Sequence, residues 1–302
     1  MMNPVLRRET ITSLRGWKNY AVLTFYLFMM TLGAFIFFYS SAYESYRFTF
    51  DPQSVVYLYV VLGSIQMALI VLSVPALTAG SISGERERQT LDLLLVTKLS
   101  PFSIVIGKLL SSMAFVLLLI VSTLPVFSIV FYFGSVGIGS VLTLVCFTLT
   151  TAYMLGGISV FFSCIYKKTV VSIMLVYIFT GILCFGTLIL VVLPMAVRGG
   201  NQVSNTVTLF KLIPNPGVAF FSLIDGQIGS NIIKDVFFEY TQPSKNSFIQ
   251  WGAEHLWILH IIFQLVVGSV FIALAAGSIN PVREHKQKNK RAKTNGKGKS
   301  EV

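Results

Sequence analysis

Apolar positions along the 302 residues come in long uninterrupted runs, without the two-residue alternation of half-buried strands. The runs cover about 20–43, 54–79, 109–133, 138–165, 169–197 and 256–279. Each reaches the roughly 20 apolar residues that a helix needs to cross the hydrocarbon core of a bilayer. A helix satisfies its own backbone N–H and C=O groups in lipid, so the pattern predicts six helical spans. A membrane barrel does not fit, because its strands alternate apolar and polar positions over segments of about ten residues. The first run follows Arg7, Arg8, Arg15 and Lys18, as the core of a signal peptide does. It exceeds the roughly 7–15 residues of such a core, which predicts an uncleaved anchor.

Two of the connecting segments carry a pattern of their own. Residues 207–224 are apolar but hold Lys211 and two helix-breaking prolines, Pro214 and Pro216. This predicts an outer-face helix or a re-entrant pair bent at Asn215-Pro216-Gly217. Residues 81–112 lie between the second and third runs. Ser83 is placed to cap a helix beginning at Gly84, with Glu85 and Glu87 suiting the positive end of its dipole. Leu91, Leu94 and Leu95 follow at helical spacing, predicting an amphipathic helix over 84–96. Ser100-Pro101 then marks the start of a further helix, which climbs into the third span.

Composition agrees with the spans. The chain is 54% hydrophobic and 12% charged, against about 25% charged residues in soluble domains. The charge is unevenly placed. With both ends cytoplasmic, 18 of the 23 Lys and Arg fall on the inner side, while the 12 acids divide equally. The net charge of +11 then resolves into +12 inside and −1 outside, as the positive-inside rule requires. A seventh span at 207–224 would move the basic tail, residues 282–302, to the outer side. We therefore read residues 1–281 as a single six-span domain, followed by a disordered cytoplasmic tail. Near a bilayer such a tail meets anionic lipid headgroups rather than nucleic acid.

The chemistry that the chain lacks narrows the function. Its inner segments are too short for an ATPase or kinase domain, and no G-x-x-x-x-G-K-[ST] phosphate loop is present. His260 is the one ionisable residue within the spans and is read as a packing residue, with Gln66 and Gln264 as interhelical hydrogen-bonding groups. His255, His260 and His285 are not clustered with acids, so no metal site is expected. Cys146, Cys164 and Cys184 lack a C-x-x-C pair and are expected to be small buried residues. Glycines at 134, 137, 139, 156, 157, 181 and 186 are expected to allow close helix approach.

Segment 84–108 resembles the signature of ABC transporter permeases of the type-2 export class. There a Glu-Arg-x-x-Gly-Thr-x-Glu-x-Leu-Leu run follows the second span, with an Ile-x-x-Gly-Lys run after it. Here Glu85, Arg86, Thr90, Asp92, Leu94 and Leu95 fall in register, as do Ile104, Gly107 and Lys108. Gln89 stands where Gly is usual, and Lys98 where Pro is usual.

The resemblance implies an all-α integral membrane protein with six transmembrane helices. An amphipathic helix, here 4–18, precedes the first span. A cytoplasmic coupling helix lies between spans two and three, and outer-leaflet helices lie between spans five and six. It implies the permease subunit of an ATP-driven exporter in the plasma membrane, paired with a second permease chain, the same or related. Separate cytoplasmic ABC ATPase subunits would bind ATP and Mg and dock on Glu85, Arg86, Glu87, Arg88 and Thr90, with Leu91, Leu94 and Leu95 anchoring the helix. The chain itself would hold no cofactor and catalyse no reaction. The alternative is a non-transport membrane scaffold or immunity-type protein using the same fold.

Overall fold

The computed structural model describes residues 16–44, 52–90, 101–132, 136–198, 204–230, 232, 235 and 246–279. The helix expected over 4–18 lies outside the described residues, except for its last three, and so does the tail. Among the described residues there is no strand, and six helical stretches are long and apolar enough to cross a membrane. The first span is α1 (Trp17–Glu44). The second is α2 (Pro52–Thr78), continued through a turn into the short α3 (Ser83–Glu87). The third is α4 (Pro101–Ser122) with α5 (Leu124–Tyr132). The fourth is α6 (Ile138–Ile165). The fifth is α7 (Thr169–Gly181), a π-helical turn over Ile182–Gly186, and α8 (Thr187–Arg198). Two short helices, α9 (Asn205–Leu212) and α10 (Pro216–Ile228), precede α11 (Ser247–Glu254) and the sixth span, α12 (Leu256–Ser278).

The third span begins at Pro101, where Ser100-Pro101 predicts a helix start, and differs from the sequence expectation in its middle, where the helix breaks at Thr123. Pro125 has no N–H to return to the preceding turn, which accounts for the interruption.

Span four is the hub, packing against spans two, three, five and six. Its buried positions include Thr148, Thr151, Gly156, Gly157, Ser159 and Ser163. Small residues bring helix backbones close where lipid supplies no hydrophobic drive between helices. A Cβ on Gly157 would lie 2.8 Å from the carbonyl oxygen of Gly268 in span six. By contrast, Gly137, Gly139 and Gly181 face open space, so close packing does not explain them; Gly134 lies outside the described residues. Of the cysteines, Cys164 is buried, Cys184 partly buried and Cys146 exposed. The expectation of a buried cysteine therefore holds fully at one position. Cys146 points outward from a helix whose other faces form the core.

The polar residues inside the bundle join helices. Gln264 Nε2 donates to Thr151 Oγ1 at 2.7 Å, and the side chains of Gln66 and Thr123 are hydrogen-bonded at 3.3 Å. His260 is fully buried, with its ring near Phe147 and Phe263. Its Nδ1 lies 2.6 Å from the carbonyl oxygen of Ile213. A carbonyl only accepts, so Nδ1 carries the proton.

The segment between spans five and six is a bent pair. α9 and α10 meet at 104°, and each falls short of the roughly 20 residues of a crossing. Asn215 makes the bend. Its Oδ1 accepts the N–H groups of Gly217 and Val218 at 2.9 and 3.0 Å, capping α10. Its Nδ2 donates to the carbonyl oxygen of Cys184 and to Thr187 Oγ1, both at 2.8 Å. The bend is thus seated against the π-helical turn of span five on one side and His260 of span six on the other.

Candidate functional site

The two ends of the bundle are built differently. At one end the starts of spans two and four meet α10: the hydroxyl of Tyr59 and the amide of Gln227 both donate to the carbonyl oxygen of Ser140, at 3.1 and 3.0 Å. At the other end, where spans two and four finish and spans three and five begin, sits α3 with the sequence Ser-Gly-Glu-Arg-Glu. The continuous stretch Ser54–Glu87 has 34 residues. Helix α2 alone has 27 residues, roughly 40 Å at 1.5 Å per residue, already longer than a hydrocarbon core of about 30 Å. The charged end of α3 therefore follows a full crossing length.

The start of α3 is capped from another helix. Ser163 of span four accepts the N–H groups of Ile82 and Ser83 at 3.0 and 2.8 Å. The local cap expected at Ser83 does not form: its side chain is buried and bonds to the carbonyl oxygen of Ala79 at 3.0 Å, with Thr169 Oγ1 at 3.2 Å. The helix begins at Ser83 itself, so its hydroxyl points back along the preceding turn and Ser163 takes the capping role.

The end of α3 is a Schellman turn. The N–H of Thr90 donates to the carbonyl oxygen of Glu85 at 2.9 Å, and that of Gln89 to Arg86 at 3.1 Å. Gln89 occupies the left-handed position with φ of 59°, the conformation in which glycine carries no Cβ penalty. The helix expected over 84–96 is therefore not continuous. It stops at Glu87, and Leu91, Leu94 and Leu95 lie outside the described residues.

Both acids of α3 are engaged by neighbouring spans. Glu87 accepts the N–H and hydroxyl of Thr169 at 2.8 and 3.0 Å, placing a carboxylate on the N-terminus of α7. Glu85 Oε1 lies 2.9 Å from Lys108 Nζ, eight residues into α4, and its Oε2 accepts the hydroxyl of Thr90. Partial burial pushes the Glu85 carboxyl up. The hydrogen bonds from Thr90 and Lys108 and the charges of Lys108 and Arg88 overcome this, leaving it below the ordinary carboxylate range. Arg86 is half-buried, and Arg88 and Gln89 are exposed.

Of the residues singled out from the sequence, Glu85, Arg86, Glu87, Arg88 and Thr90 come together in this one turn. Sequence reasoning missed Ser163 and Thr169, which carry no local signal. Lys108 is part of the motif, which alone assigns it no role. Its position inside an otherwise apolar stretch was the available sign that a partner would be needed.

Compared with curated proteins, the chain has no match. Compared with family models, residues 4–231 match the model described as ABC-2 family transporter protein. That match covers spans one to five, the turn at α3 and the bent pair. The chain thus belongs to the ABC-2 family of transporter proteins, as a multi-pass membrane permease component.

Proposed function

We propose that this chain is the permease subunit of an ATP-driven exporter, working as a dimer with a second permease chain, the same or related. Separate cytoplasmic ABC ATPase subunits dock on the segment 84–96, through Glu85, Arg86, Glu87, Arg88 and Thr90, with Leu91, Leu94 and Leu95 as its apolar anchor. ATP and Mg belong to those subunits. The chain lies in the plasma membrane with both termini cytoplasmic, which places α3 on the ATPase side. The observation that carries this reading is the seating of α3: a charged helix in a permease-family chain, hydrogen-bonded to the ends of spans three, four and five. A push delivered there reaches three spans without crossing a loop. Apart from Lys108, which is paired with Glu85, the charged residues of the spans lie at their ends, which supports a mechanical rather than ion-driven input. The broad apolar exposure of spans one and five, including Phe28, Phe35, Met174, Ile178, Phe185 and Ile189, suits lipid and a second subunit.

The test is mild-detergent purification of the tagged chain from its native cells, with mass spectrometry and an ATPase assay of what co-elutes. A phosphate-loop ATPase in stoichiometric amount is expected, and it should be lost when Arg86 and Arg88 are both changed to Glu while membrane insertion persists. Full retention of the ATPase in that variant removes the docking assignment. The topology is checked separately: a cysteine at 245 is expected to label from outside, and one at 290 only after permeabilisation.

A further inference from the structure

We propose that Lys108 is the positioning residue through which α3 drives the third span, by way of its ion pair with Glu85. This rests on the docking reading above and names the part of the permease that receives the movement.

α3 is only five residues long, and four of them are Gly, Arg or Glu. It has no apolar stripe of its own, so beyond its backbone link to span two and the buried Ile82 at its start, movement is passed on through polar fixings. Three such fixings lead out of it. The Ser163 cap ties its start to span four, and the Glu87 carboxylate ties its end to span five. Glu87 is itself exposed, and water competes for that link.

The link to span three is different in kind. Lys108 has 8% of its side chain exposed and sits among Ile104, Val105 and Leu109, all buried. Separating an ammonium group in such surroundings from its carboxylate is strongly unfavourable, so α4 is tied to Glu85. Glu85 is in turn held in place: Thr90 grips its second oxygen, and the Schellman turn fixes Thr90 to the Glu85 backbone. Carboxylate, hydroxyl and turn make one rigid end, with Lys108 as its only buried cation among the described residues. From there α4 runs unbroken to Ser122, carrying a displacement most of the way across the bilayer.

The test uses the full chain with its co-purifying ATPase in proteoliposomes, with Cys146, Cys164 and Cys184 replaced by Ala. Tyr132→Cys, at the far end of span three, reports the labelling rate with a water-soluble maleimide, with and without ATP and vanadate. A nucleotide-dependent change of at least threefold is expected. Lys108→Gln should abolish the change while the ATPase co-elutes at the unmutated ratio, and Lys108→Arg, which keeps the charge, should retain it. A preserved response in Lys108→Gln overturns the proposal, as does the absence of any response in the unmutated chain. Loss of the ATPase from Lys108→Gln also overturns it, since Lys108 would then serve docking. If Arg86 and Arg88 reversal leaves the ATPase bound, the docking reading fails on its own account, and the maleimide result identifies what span three answers to.

Discussion

Gln89 holds a backbone conformation that L side chains avoid, at a cost of roughly 1–2 kcal/mol relative to glycine. Replacing it with Gly relieves that strain and returns part of the gain as unfolded-chain freedom. Gln89→Gly is therefore expected to stabilise the detergent-solubilised chain by about 1 kcal/mol or less, read as a rise in thermal unfolding midpoint. The neighbouring Glu85 makes a pH-dependent contribution. Its carboxyl is held below the ordinary range in the folded chain, so the stabilisation is fully present above the unfolded value of about 4.3 and is lost as pH falls through the lower folded value. That contribution should thus be flat near neutrality. The difference between the unmutated chain and Glu85→Gln should close below about pH 4. A difference that stays constant down to pH 3 would contradict the ion-pair geometry.

Two elements carry the packing of the bundle, and each has a position where one substitution tests it. In span four, Gly157 faces the backbone of Gly268 with no room for a methyl group. Gly157→Ala should cost roughly 1–3 kcal/mol through overpacking, whereas Gly181→Ala, facing open space, should be neutral or mildly stabilising. Thermal unfolding of the pair in the same detergent separates them. In the bent pair, Asn215 both caps α10 and donates to the Cys184 carbonyl in the π-helical turn of span five. Asn215→Ala removes the cap and that interhelical bond, at a combined cost of about 2 kcal/mol. Proteolysis in the 199–246 region should quicken before the spans unfold. Unchanged cleavage would mean that the bend is held by His260 and its prolines instead.

At the scale of the whole molecule, what lipid demands was readable in the chain and what neighbours supply was not. A crossing needs an uninterrupted apolar length, and that length is visible in any one stretch, so the six spans and the bend at Asn215 were foreseen. The start at Pro101 was also foreseen, because Ser-Pro is a local signal. The break at Thr123 had its sign in Pro125, but the apolar run continues through it and masked the interruption. The site at α3 was half visible. Its charges were found through the motif, while the cap from Ser163, the seat on Thr169 and the burial of Lys108 depend on helices that only the fold brings together.

The separation along the chain between α3 and its supports bears on how the protein is made. Ser163 and Thr169 lie about 80 residues beyond the turn they hold. Synthesis proceeds from the amino terminus, so α3 emerges without its cap and without the helix end that receives Glu87. Its final shape waits until the fourth span is in the membrane and the fifth has begun. On the docking proposed above, a half-translated permease would therefore offer no finished surface to an ATPase until the fifth span has begun.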